Sequence, residues 1–283
     1  MSEMPMLWHG GANDEDAVLR CQTILKNHGF YHGKVDGDFG ASTDRAVEQF
    51  QGSAGLDVDG WVGPNTWKAL FALESGEVSV TPEDALQKER EGLRALIPTS
   101  TSDLQRKALE AALRYYGARE EPDGSNRGPV IDDLVATYND YWKIPTTTGL
   151  AWCAMSCSSW IAFAYGLTKN PTWGSWEGHP FFNEGSGGGA YMGGVSQIEE
   201  WAKNNQRWTP AGMEGDWPPG ALFTVPSTHS STDAQASTQA SHVGMVLCDN
   251  GDGTITTIEG NIANKVGTLT RSKAKQRGWV RWW

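Results

Sequence analysis

The feature that most constrains this chain is an internal repeat near its start. The stretch VDGDFGASTDRAVEQF (35–50) returns as VDGWVGPNTWKALF (58–71), with Asp36 falling on Asp59, Gly37 on Gly60, Gly40 on Gly63, Thr43 on Thr66 and Ala46 on Ala69. Each copy reads as an Asp-Gly turn followed by a helix, for which Ser42/Thr43 and Asn65/Thr66 offer caps. Upstream, EDAVLRCQTILKNHGF places Val18, Leu19, Ile24 and Leu25 at helical spacing and stops at Gly29, with Cys21 as core filler. Helices separated by matching turns predict a small three-helix bundle over residues 1–72.

Residues 15–72 resemble the peptidoglycan-binding type 1 domain. The match is carried by Gly29, Gly33, Asp36, Gly37, Phe39, Gly40, Thr43, Phe50 and Gln51, then by Asp59, Gly60, Gly63 and Thr66. The resemblance implies a cell-wall binding module with peptidoglycan as partner. Most of the matching glycines and aspartates serve the turns, and Tyr31, His32 and Trp61 are the candidates for a binding groove.

Residues 73–100 mix charge, Gly, Pro and Ser/Thr around a short helix beginning after Thr81-Pro82, and read as a linker. Residues 101–283 are long enough for a core of their own. They open with the helix DLQRKALEAALRYYG and later alternate as strands do.

With 34 acidic against 23 basic residues the net charge is −11, which argues against attraction to nucleic acid or an anionic membrane. No apolar stretch approaches membrane-spanning length. The opening MSEMPMLWHGGANDEDAV lacks a basic segment followed by an apolar one. The expectation is therefore synthesis in the cytoplasm and, for a target outside it, delivery without an ordinary signal peptide. Four cysteines, Cys21, Cys153, Cys157 and Cys248, follow no zinc-ribbon spacing and are too few for a disulfide scaffold.

The run TTTGLAWCAMSCSSWIAFAYG (146–166) predicts a helix of small and apolar residues approached by Thr and Gly and stopped at Gly166. Cys153 falls in its first turn, where free backbone N–H groups favour a thiolate. Cys157 lies one turn deeper, where those groups are paired and burial favours the neutral thiol. The spacing thus selects Cys153 as nucleophile and leaves Cys157 as core.

A nucleophile needs a base. His9, His28 and His32 belong to the N-terminal module, and His179 and His229 fall in loops. His242 begins the predicted strand HVGMVLC, which can hold an imidazole rigidly. The turn DNGDG and the strand TITTIEGN complete a hairpin. Glu259 would sit beside His242 and hold its ring if the hairpin loop is even-numbered. With a five-residue loop, Gly260 would oppose His242 and Glu259 would turn to the other face. Asn261, two residues beyond Glu259, is an alternative partner for the ring.

Residues 115–283 resemble the CHAP family of cysteine- and histidine-dependent amidohydrolases and peptidases. The resemblance rests on WC at a helix start, PPGALFTV, SHVGMVL, IEGNI and the preceding GAREEPDGSNRGPVID. It implies an α+β, papain-like domain with an antiparallel sheet. It also implies Cys153 as nucleophile, His242 as general base and then acid, Glu259 as the residue that holds the imidazole, and Asn261 as an auxiliary polar group. Trp152, Glu120, Asn126 and Arg127 become candidates for lining the substrate, with a capping and ion-pair network as the alternative for the last three. Two polar or Gly-rich insertions, 172–194 and 226–241, set this chain apart from the family pattern.

No metal or other cofactor is expected. DNGDG lacks the spaced acidic ligands of a calcium loop, and Cys153, Cys157 and His242 lack a fourth zinc ligand. The expected function is hydrolysis of an amide bond in the peptidoglycan stem peptide, by a phage endolysin or by a secreted antibacterial effector that would have an immunity protein as partner. The alternative is a non-catalytic wall-binding protein with a degenerate papain-like domain.

Overall fold

A computed structural model describes residues 4–134, 151–166, 179–181, 194–213, 215–227 and 240–283. The chain divides into two compact units, Met1–Gly92 and Leu93–Trp283.

The first unit packs α1 (Glu15–Asn27), α2 (Ala41–Ala54) and α3 (Pro64–Ser75) around Val18, Ile24, Leu25, Val47, Phe50, Trp67 and Leu70. Asp14 caps α1 by accepting the Ala17 N–H, an interaction worth about 1 kcal/mol. Helices α2 and α3 start differently from expectation. Their caps are Gly40 and Gly63, without a side-chain bond, because Thr43 and Thr66 turn inward to a buried glutamine. Gln22 accepts the N–H groups of Asp36 and Gly37 and donates to the Asp38 carbonyl and the Thr43 hydroxyl. Gln51 does the same with Asp59, Gly60, Trp61 and Thr66. Each Asp-Gly turn is therefore closed by an amide from the preceding helix, which satisfies polar groups that burial would otherwise leave unpaired.

The short helix expected within residues 73–100 is present, flanked by turns and irregular backbone at 76–81 and 96–100. Leu73 is buried and completes α3, and α4 runs Pro82–Ala95 with Ala85 buried. Thr81 and Asp84 cap α4 reciprocally. The division between the two compact units falls near the end of this helix.

In the second unit α5 (Asp103–Arg114) packs on α6 (Cys153–Ala164). Helix α7 (Val195–Asn204) follows. The strands β1 (Trp208–Pro210), β2 (Leu222–Pro226), β3 (Ala240–Asp249), β4 (Thr254–Ile262), β5 (Lys265–Ser272) and β6 (Gly278–Val280) form one antiparallel sheet in the order β1-β6-β2-β3-β4-β5. Leu109, Leu113, Trp152, Trp160, Ile161, Val243, Met245, Ile258 and Trp282 share a core between helices and sheet. Helix α6 is buried along nearly its whole length, as its run of small and apolar residues requires.

Among the described residues no helix is long and apolar enough to cross a membrane. All four cysteines are free.

Candidate active site

The thiol, the imidazole and the carboxylate singled out above converge where α6 begins. Cys153 is the first residue of that helix and is 6% exposed. Its cap residue, Trp152, carries no side-chain acceptor. The first intrahelical bond runs from the Ser156 N–H to the Trp152 carbonyl, and the N–H groups ahead of it, which have no intrahelical partner, point where an anion is favoured. The Thr-rich approach, residues 146–149, lies outside the described residues.

The His242 ring lies beside Cys153, near enough for the two side chains to interact. Its Nε2 lies 2.7 Å from Glu259 Oε2, so Nδ1 is the nitrogen left for the thiol. Glu259 is fully buried and held from several sides. Arg271 donates to it through Nε and Nη2, each at 2.6 Å, and the Thr257 hydroxyl donates to Oε1. Arg271 in turn lies over the Phe223 ring.

The charges follow from these contacts. Burial alone would raise the Glu259 carboxyl, but hydrogen bonds from Arg271 and His242 hold it down at about 2. Burial alone would lower the His242 imidazole, but its interactions with Cys153 and with the Glu259 carboxylate raise it to about 9. Burial pushes the Cys157 thiol well above its ordinary range, with Cys153 and Glu259 adding to the effect. His179 is of another kind. It is buried, accepts the Phe181 N–H at Nδ1 and faces the Ser158 carbonyl with Nε2, and burial takes its imidazole down to about 3. His229 lies outside the described residues, as does most of the 172–194 and 226–241 insertions.

The hairpin reaches this geometry by a route the sequence did not reveal. Asp249 pairs with Ile255, enclosing residues 250–254, an odd-numbered loop of the kind expected to turn Glu259 away. An irregularity between Val246 and Cys248 shifts the ladder by one residue and restores the side. Beyond it Met245 pairs with Ile258, and continuing that register sets Glu259 against Gly244 rather than directly opposite His242. Gly244 is what permits this. A Cβ there would stand 2.6 Å from Glu259 Cγ and 2.8 Å from the Phe223 ring. The carboxylate occupies the space of the missing side chain and reaches His242 diagonally, on the same side of β3.

Asn261 does not serve the ring. Its backbone is left-handed, with φ 58°, and its amide donates to Asn126 Oδ1 at 3.0 Å. The strand irregularity between Glu259 and Ile262 accounts for the swing. Trp152 and Glu120 are likewise corrected as substrate-lining residues, being 0% and 3% exposed. Trp152 Nε1 donates to Glu120 Oε1 at 2.8 Å, and Glu120 Oε2 accepts the Asn126 N–H. This network ties the residue before the thiol to the 117–128 segment. Arg127 makes a two-pronged pair with Asp132. Gly260 completes the support of α6, since a Cβ there would collide with Ser156 and crowd Trp152.

In the first unit Tyr31 is buried, and its hydroxyl donates to the Lys34 carbonyl. It is core rather than groove. His32 is exposed, and among the described residues no ring contact or hydrogen bond joins it to Trp61. Trp61 is 48% exposed.

Comparison with known proteins places the first unit. Residues 14–70 match the family described as "Putative peptidoglycan binding domain". The chain is 50% identical over 60 residues to a spore cortex-lytic enzyme of Bacillus cereus, covering 21% of this chain and 23% of that protein. It is 38% identical over 74 residues to the N-acetylmuramoyl-L-alanine amidase CwlM of Mycobacterium tuberculosis, covering 26% and 18%. A probable N-acetylmuramoyl-L-alanine amidase of Bacillus licheniformis is 32% identical over 117 residues, covering 41% and 32%. The chain thus spans less than a third of each of these relatives. No solved structure matches it.

Proposed function

We propose that this chain is a peptidoglycan hydrolase whose N-terminal unit holds the polymer while the C-terminal unit cleaves an amide bond of the stem peptide by cysteine catalysis. The observation that carries the reading is the chain of contacts from Cys153 at a helix start, through His242, to a buried carboxylate. The resemblance of residues 115–283 to the CHAP family and its papain-like architecture supports it. So does the company of the N-terminal unit, whose relatives are named as cortex-lytic enzymes and amidases.

In this reading His242 takes the Cys153 proton and the thiolate attacks the amide carbonyl. The free N–H groups of the first turn of α6 stabilise the oxyanion. His242 then protonates the leaving amine, which departs and leaves a thioester. Water, deprotonated by the same imidazole, hydrolyses the thioester and restores the thiol. Glu259 keeps the ring in one tautomer and offsets its positive charge. Tethering by the N-terminal unit raises the local concentration of substrate without adding a catalytic contact.

The biological setting we propose is lysis from within, as by an endolysin, or delivery into a competitor, with action in the cell wall in either case. The Cys153→Ala variant is expected to release no new amino groups from purified sacculi, while Cys157→Ala stays active. Undiminished release by Cys153→Ala would overturn the nucleophile assignment.

A further inference from the structure

The internal repeat supplies a control that isolates one side chain. The turns at 36–43 and 59–66 are closed by the same bonds, and the residue after each Asp-Gly pair donates its N–H to the aspartate. In the first turn that residue is Asp38, and in the second it is Trp61. The turn therefore does not require an aromatic there, and Trp61 leaves 48% of its surface in water.

Trp61 is nonetheless rigidly held. Its N–H goes to Asp59, and its carbonyl accepts from Gln51 and Thr66. Its ring stacks on Trp8, with centroids 5.6 Å apart and planes 26° from parallel. Trp8 comes from a segment that precedes the matched region and is fastened at several points. Leu7 and Val62 exchange backbone hydrogen bonds, Trp67 Nε1 donates to the Pro5 carbonyl, and Asn13 bonds both the N–H and the carbonyl of Trp8. Gly11 lies against the Trp8 indole, where a Cβ would come within 2.5 Å of Cε2. A large, half-exposed indole whose backbone and stacking partner are both fixed loses little freedom on binding, as an anchor residue should.

We infer that the outer face of Trp61, backed by Trp8, is a stacking platform for a sugar ring of the peptidoglycan glycan backbone. The inference rests on the wall-binding reading of this unit and specifies which component of the polymer it grips. A pyranose presents an apolar C–H face that suits an indole. The stem peptide offers charged and amide groups that this uncharged face cannot pair.

The test is sedimentation of the full chain carrying Cys153→Ala with intact sacculi and with glycan strands stripped of stem peptides. Trp61→Asp installs the residue that the first turn already carries, so it should fold, which circular dichroism and melting check. It is expected to weaken binding to stripped strands about tenfold, with Trp61→Tyr retaining most of the affinity and Trp8→Ala falling between. Unchanged binding by folded Trp61→Asp would overturn the platform, as would a parent that binds sacculi but not stripped strands. In either case wall binding would stand. A parent that binds neither polymer would overturn both readings.

Discussion

Replacing Arg271 with Leu removes the cation that balances Glu259 while leaving the carboxylate with no exposure to water. Two bonds of 2.6 Å are lost, and His242 and Thr257 remain as its partners. Breaking a buried ion pair from one side costs about 3–5 kcal/mol. Because the Arg271 side chain is 19% exposed, solvent offsets part of this, and about 3 kcal/mol is the expectation. For a unit of this size that is a fall of roughly 6–12 °C in melting temperature. The Glu259 carboxyl should rise from about 2, and with Arg271 no longer fixing the carboxylate that holds His242, hydrolysis should fall as well. The assay is a double-mutant cycle by denaturant unfolding with Glu259→Gln. In the Glu259→Gln background, loss of Arg271 should cost far less. An equal cost in both backgrounds, or a loss below about 1 kcal/mol, would refute the claim that Arg271 acts through Glu259.

Two further outcomes follow from the same site. Gly244→Ala should push Glu259 out of its place, with roughly a 100-fold loss of hydrolysis and about 1–3 kcal/mol of stability, measured on sacculi and by urea unfolding. Stability should also depend on pH with a definite sign. The His242 imidazole is raised to about 9, so its contribution is complete below its ordinary value and is lost as pH rises through 9. The Glu259 carboxyl is lowered to about 2, so its contribution is complete above its ordinary value and is lost as pH falls through 2. Unfolding measured across alkaline pH should lose this slope in His242→Gln, and a slope unchanged in that variant would contradict the assignment.

How much of this was legible in the sequence depended on how local the physics is. The turn-helix repeat and the first-turn position of Cys153 are short-range patterns, and the residues themselves state them. The partner of His242 depended on hairpin register. There the arithmetic of loop length failed, because one residue of irregularity near Leu247 reverses the side on which every later residue falls. Arg271 carried no signal of its own within the basic stretch RSKAKQR, since only the pairing of β4 with β5 brings it to Glu259. Gly244 reads as a break in a strand until the space it leaves is seen to be filled by another residue. Trp152, Glu120 and Tyr31 look like surface recognition residues by type. Burial and a polar partner turn all of them into supports.

The central claim is that Cys153 is an activated nucleophile because His242 and Glu259 stand behind it. Its most direct measurement is the site-resolved rate of alkylation by iodoacetamide near neutral pH, with the modified peptides quantified by mass spectrometry. The account predicts that Cys153 reacts faster than Cys157, Cys21 and Cys248 by on the order of tenfold or more, and that His242→Ala removes the advantage. Equal rates at Cys153 and Cys157, or a Cys153 rate indifferent to His242, would contradict it.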